Sequence, residues 1–233
     1  MEISAATHSH HQDHLKLGFQ FLSGKLAIRF WLLLPILFIA LILVSRAHAQ
    51  QQVDTDIHTD TNDLPQITIT TTMGDFSIEL YPQHAPSTVA NFLQYVDQDF
   101  YKRTLFHRIA KGFVIQAGGF DVNHQKRHTA SAIKNESLTS ISNTRSTLAM
   151  ARTGHPDSAT SQFFINLKDN LILNSHDTTP GYTVFGRVIT GMDLIDKMSE
   201  IETTNLGGPF TQFPLEPIII LNIQRASTPR DPA

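Results

Sequence analysis

The sequence contains no cysteine, which excludes disulfides, thiol nucleophiles and thiolate-held metals. Tryptophan occurs once and tyrosine four times, so the aromatic content rests on 15 phenylalanines. Charge of either sign is sparse: 18 Lys and Arg stand against 21 Asp and Glu, for a net charge of -3. That balance gives no basic field for gripping nucleic acid. No G-x-S-x-G, H-E-x-x-H or Gly-rich nucleotide loop is present, so serine hydrolysis, zinc proteolysis and nucleotide chemistry have no foothold. His124 and His128 stand four apart, but in a polar stretch without helical periodicity. His8, His10, His11 and His14 read as part of a polar leading region, with metal binding as the alternative.

What is present begins with the N-terminal order of features. Lys16, Lys25 and Arg29 precede an apolar run from Phe30 to Val44, and Ala47-His48-Ala49 follows. Positive region, apolar core and small-residue site in that order predict a secretory signal. The run is short for a membrane span, which needs about 20 residues. Arg46 close after it keeps a second reading open, an uncleaved single-pass anchor. Either reading puts the remaining chain outside the cytoplasm, because the positive charge lies on the N-terminal side. We therefore divide the chain into a leader or anchor (1–49), a polar linker (50–64), one domain (65–225) and a tail (226–233). The expected location is the periplasm, free or tethered through residues 30–44.

Within the domain the pattern is mostly strand. Ile67, Ile69 and Thr71, then Phe76, Ile78 and Leu80, alternate with polar residues around Met73-Gly74, which predicts a hairpin. Further strands are expected at 105–109, 112–117, 146–151, 162–167, 182–188 and 217–224. Val89, Phe92, Leu93 and Val96 share one helical face behind Pro86, and Leu194, Ile195, Met198 and Ile201 share another. Eight strands and two helices predict a mostly β fold, a closed antiparallel barrel capped by two α-helices.

The chemistry-bearing stretch is Phe106–Gly119, FHRIAKGFVIQAGG, answered by Ser161-Gln162-Phe163-Phe164-Ile165. In strands, Gln162 pairs with Phe164 on one face and Val114 with Gln116 on one face. Each pair joins an amide to an apolar group, as in a small mixed pocket, or is a surface Gln beside an incidental hydrophobe. Arg108 lies inside an apolar strand, where Arg is seldom buried without partner or purpose. Taken alone it is either functional or a structural Arg held by carbonyls or a carboxylate. His107 is an acid, a base, a pocket wall or, taken alone, a satisfied structural histidine. This set can grip and polarise an amide; it lacks the means to cut one.

FHRIAKGFVIQAGG, LAMAR at 148–152, SATSQFFINL at 158–167 and GYTVFGRV at 181–188 together resemble the cyclophilin-type peptidyl-prolyl cis-trans isomerases, their exported bacterial branch in particular. The resemblance runs from about Pro65 to Arg225. It implies an eight-stranded barrel with two helices, prolyl isomerisation, no cofactor, no metal and a monomer acting on proline-containing unfolded or exported polypeptides. It gives Arg108 the role of catalytic Arg, with His107 beside it. Phe113, Val114, Phe164 and Leu173 match the proline pocket, and Gln116 and Gln162 its polar side. Ala151 and Arg152 match the strand along which the peptide lies. Three positions depart. Lys111 stands where the family usually has Pro, Ile172 replaces the rim aromatic, and Tyr182 stands where many eukaryotic members have His. The change at Ile172 implies a weaker grip on cyclosporin. A proline-binding module or chaperone with little turnover is the alternative, against which the intact Arg–Gln set argues.

Overall fold

The computed structural model describes residues 64–226. The expected leader or anchor and nearly all of the expected linker lie outside the described residues, as does the tail after Ala226. Among the described residues no helix is long and apolar enough to cross a membrane.

Alternation of apolar and polar residues produces the first hairpin, β1 (Gln66–Thr71) and β2 (Gly74–Leu80). Thr72 and Met73 form its turn. The remaining strands are β3 (Thr104–Ala110), β4 (Val114–Asp121), β5 (Thr147–Met150), β6 (Phe163–Asn166), β7 (Val184–Thr190), β8 (Thr203–Thr204), β9 (Phe213–Pro214) and β10 (Ile219–Arg225). Eight of them close a barrel in the order β1-β10-β3-β4-β6-β5-β7-β2, and every neighbouring pair is antiparallel. The strands β8 and β9 pair separately, a small element the sequence reading does not contain. The expected strand at 112–117 begins later and runs further, and that at 182–188 is displaced towards the C-terminus. In both cases Gly or a turn, not hydrophobicity, sets the boundary.

The barrel interior is packed. Ile67, Ile69, Phe76, Ile78, Phe106, Ile115, Phe163 and Phe185 fill it, as expected when eight strands leave an interior just wide enough for side chains. The two helices close it. Helix α1 (Pro86–Asp97) buries Val89, Phe92, Tyr95 and Val96, and α2 (Met192–Ser199) buries Ile195 and Met198. The Phe92 ring lies 5.2 Å from Phe185, 5.3 Å from Tyr101 and 5.7 Å from Phe163. Burying each such side chain stabilises the fold by about 1.5–3 kcal/mol. Because the interior holds side chains, any binding site must lie on the outer face.

The start of α1 has no cap from its own N-cap residue, Ala85. Glu136, far along the chain, supplies one. Its carboxylate accepts from the Ser87 and Thr88 backbone N–H groups, both at 2.9 Å, and from Thr88 Oγ1 at 2.7 Å. A carboxylate at a helix N-terminus satisfies orphan donors and meets the positive end of the helix dipole.

Candidate active site

Strand register builds the site. Arg108 on β3 is opposite Gln116 on β4, Gln116 is opposite Phe164 on β6, Phe164 is opposite Ala149 on β5, and Ala149 is opposite Val184 on β7. One row of partners thus crosses five strands. Val114, Ala149, Phe164 and Val184, with Ala110, form a second apolar cluster outside the barrel, joined by Phe113, Ala151, Leu173 and Tyr182. The inward neighbours Ile115, Leu148, Phe163 and Ile165 belong to the core instead. The alternation read at 114–116 and 162–165 therefore holds, although Gln162 itself stands just before β6.

Arg108 joins this face through a register shift. Phe106 pairs with Ala117 and Arg108 with Gln116, so two residues of β3 oppose one of β4. Without this bulge Arg108, two residues from the core residue Phe106, would point into the barrel; bulges re-aim side chains in this way. The guanidinium is half-buried and forms no hydrogen bond or ion pair among the described residues. Burial pulls its pKa below the usual Arg range, opposed by the nearby Tyr182, and an Arg so placed stays charged. Among the described residues, neither structural partner considered for it is present, which leaves its donors available to a ligand there.

His107 goes elsewhere. It is 2% exposed, with its ring against Phe120 at 4.8 Å and Phe210 at 6.3 Å. Its Nδ1 is buried without a hydrogen-bond partner among the described residues. Burial pushes its pKa down to about 4, against the raising effect of the Leu105 backbone. It is a neutral packing residue beside the bulge, withdrawn from the row that holds Arg108.

The polar side is preorganised. Gln116 Nε2 donates to Gln162 Oε1 at 2.9 Å, leaving the Gln116 carbonyl and the Gln162 amide to meet a peptide. Gly119 makes room for this: a Cβ there would lie 2.5 Å from the Gln162 side chain. Beyond this pair a cavity of about 290 Å³ continues past Lys126, Thr129, Arg152 and Thr160. Ala151 lies on the same edge; its N–H already donates to Gln162 O at 2.9 Å.

On the other side the apolar walls are held by residues the sequence reading passed over. Asn170 Nδ2 donates to Phe113 O at 2.8 Å and to Asn166 Oδ1 at 2.8 Å. Asn166 Nδ2 reaches Thr147 Oγ1 at 2.9 Å and Asn143 Oδ1 at 3.2 Å. Asn143 Nδ2 then donates to Tyr182 O at 3.2 Å. This asparagine chain fixes the backbones of Phe113 and Tyr182, two opposite walls. Asparagines in loops read as turn formers, so nothing in their spacing announced the network. Phe113 itself follows a tight turn: its N–H donates to Ala110 O at 2.9 Å, and Gly112 has φ +67°. Lys111 occupies the second position of that turn and pairs with Glu200 at the surface, so the missing Pro leaves the turn intact. Leu171 and Ile172, on a 3-10 turn at the rim, are 60% and 89% exposed. Ile172, expected on the rim, is turned to solvent beside Leu173.

Comparison with known proteins bears on the fold and the family. Residues 66–225 match the family model "Cyclophilin type peptidyl-prolyl cis-trans isomerase/CLD". A peptidyl-prolyl cis-trans isomerase of Acinetobacter baylyi is 49% identical over 154 residues, 66% of this chain and 81% of that protein. Peptidyl-prolyl cis-trans isomerase B of Escherichia coli is 44% identical over 160 residues, 67% of this chain and 97% of that protein. The crystal structure of a cyclophilin-type isomerase of Cryptosporidium parvum superposes with a TM-score of 0.60 at 27% identity, covering 72% of this chain and 100% of that one. With the family match over residues 66–225, these identities and the shared fold, the chain belongs to the cyclophilin-type peptidyl-prolyl cis-trans isomerases.

Proposed function

We propose that Arg108 is the catalytic group of this isomerase and that its clients are exported polypeptides. The reaction is rotation about the bond before proline. That bond resists rotation because the nitrogen lone pair is delocalised into the carbonyl, and the barrier is about 20 kcal/mol. In the twisted transition state the lone pair returns to a pyramidal nitrogen. An Arg108 N–H aimed at that nitrogen stabilises the twisted form more than either planar one, as catalysis requires. Phe113, Val114, Phe164 and Leu173 hold the ring. A dry pocket also favours the twisted amide, the less charge-separated form. Gln116, Gln162 and the Ala151–Arg152 backbone hold the flanking peptide.

The observation that carries this reading is the half-buried Arg108 guanidinium at the end of the cross-strand row, with no hydrogen-bond or ion-pair partner among the described residues. A purely structural Arg at that burial would be bonded to carbonyls or a carboxylate. The residue set is tested by titrating a proline tetrapeptide into the labelled protein. Chemical shifts should move at Phe113, Gln116, Ala151 and Gln162. Shifts confined to other faces would remove the groove from the account. The export reading is supported by the order of charge, apolar run and Ala47-His48-Ala49. The reading includes a monomer with its domain free in the periplasm or tethered through residues 30–44.

A further inference from the structure

We propose that Arg152 is a positioning residue that holds the Tyr182 ring in place as a wall of the proline pocket; this rests on the site reading above. Arg152 directly follows Ala151 on the peptide edge, yet its side chain turns to the neighbouring segment that leads into β7. Its Nε donates to Gly181 O at 3.0 Å, its Nη2 to Pro180 O at 2.9 Å and its Nη1 to Thr153 O at 3.0 Å. The guanidinium carbon sits 4.7 Å from the centre of the Tyr182 ring, within reach for a cation–π contact. On its other side the Tyr182 ring meets Phe164 edge to face at 5.6 Å. Arg152 therefore bonds the backbone on both residues before Tyr182 and covers its ring.

Tyr182 needs such a strut because it has somewhere else to go. It also lines a polar cavity of about 270 Å³ bounded by Ser140, Asn143, Asn174 and Ser175. The backbone of Tyr182 is fixed by Asn143, and by its own N–H to Leu173 O at 2.9 Å, but no hydrogen bond holds its hydroxyl among the described residues. The cavity gives the ring room to leave Phe164, and the planar cation keeps it there. A lysine cannot replace this: it lacks the fork that meets two carbonyls while lying flat on a ring. The departure at Tyr182 and the arginine at 152 thus work as one unit, with the larger aromatic wall requiring a planar cation to seat it.

The inference is tested with a double-mutant cycle on Arg152→Ala and Tyr182→Ala, reading KM and kcat separately for a proline tetrapeptide. Loss of a wall contact of this type corresponds to a rise in KM of ~3- to 10-fold. Each single variant should show that rise with kcat within about twofold of wild type, and the double variant should be no worse than the poorer single one. Arg152→Lys should fail to restore KM, and the ring-to-ring NOE between Tyr182 and Phe164 should weaken in Arg152→Ala. Arg152→Met, which keeps the aliphatic stem, runs the same cycle where the alanine variant does not fold. Wild-type KM in a folded Arg152 variant, full rescue by Lys or multiplicative losses in the cycle would each overturn the proposal. Arg108→Ala separates the two claims. Retained turnover there defeats the site reading, whereas lost turnover with a multiplicative Arg152–Tyr182 cycle defeats this inference alone.

Discussion

Arg108 and His107 are neighbours in the chain with opposite environments. The bulge that turns Arg108 onto the groove leaves His107 among Phe120 and Phe210, so one backbone irregularity separates a groove-facing cation from a neutral packing residue. This has a pH consequence. The unfolded His107 takes a proton near 6.5, but the folded one resists it down to about 4. Stability from this residue is complete above about pH 6.5 and falls as the pH drops from there towards 4, because only the unfolded form binds the proton. The loss is on the order of 3 kcal/mol. Urea denaturation of wild type and His107→Gln at pH 7, 5.5 and 4.5 should show a steeper decline for wild type; parallel curves would mean that His107 titrates normally. The residue types of the site were legible: Arg108, Phe113, Gln116, Gln162 and Phe164 all stand in long runs of recognisable order. The direction of His107 was not, because strand alternation by itself would put Arg108 inward beside Phe106 and His107 outward alone.

At the scale of elements, periodicity located the strands and helices, while contacts from distant segments set their ends. The two helices follow their apolar stripes, since i, i+3, i+4 spacing directly reports a buried face. The start of α1 depends on Glu136, which no local pattern around Pro86 could announce. Truncating that carboxylate strips three hydrogen bonds from the first turn. We expect Glu136→Ala to lower stability by about 1–2 kcal/mol, seen as a lower thermal midpoint, with Glu136→Gln recovering part of it. An unchanged midpoint in Glu136→Ala would show that the cap contributes nothing. The cross-strand row from Arg108 to Val184 is equally invisible in a single strand. Its existence depends on register between five strands, and register is a property of pairs. The asparagine chain beneath Phe113 and Tyr182 is hidden differently: Asn143 and Asn170 stand in loops, where Asn reads as a turn former.

For the whole molecule, the count of eight strands and two helices led to the barrel, and a filled barrel interior then required an external groove. Composition contributed by exclusion: without Cys, a nucleophile motif or a basic field, the remaining chemistry was binding and polarisation. The proposed export, read from the order of charge, apolar run and Ala47-His48-Ala49, carries the prediction about place. Cell fractionation and intact mass of the expressed protein should recover it in the periplasmic or membrane fraction, with a mass that starts after Ala49 for a cleaved signal. Recovery in the cytoplasm at full mass would refute export. The central claim, that Arg108 supplies the transition-state donor, is tested most directly by NMR exchange of a proline tetrapeptide with the full-length protein, wild type beside Arg108→Ala. Loss of one preorganised donor costs about 10²–10³ in rate, roughly 2.7–4 kcal/mol. The account predicts a fall of that size in a variant that retains the wild-type fold and still binds the peptide; near-wild-type exchange in folded Arg108→Ala would contradict it.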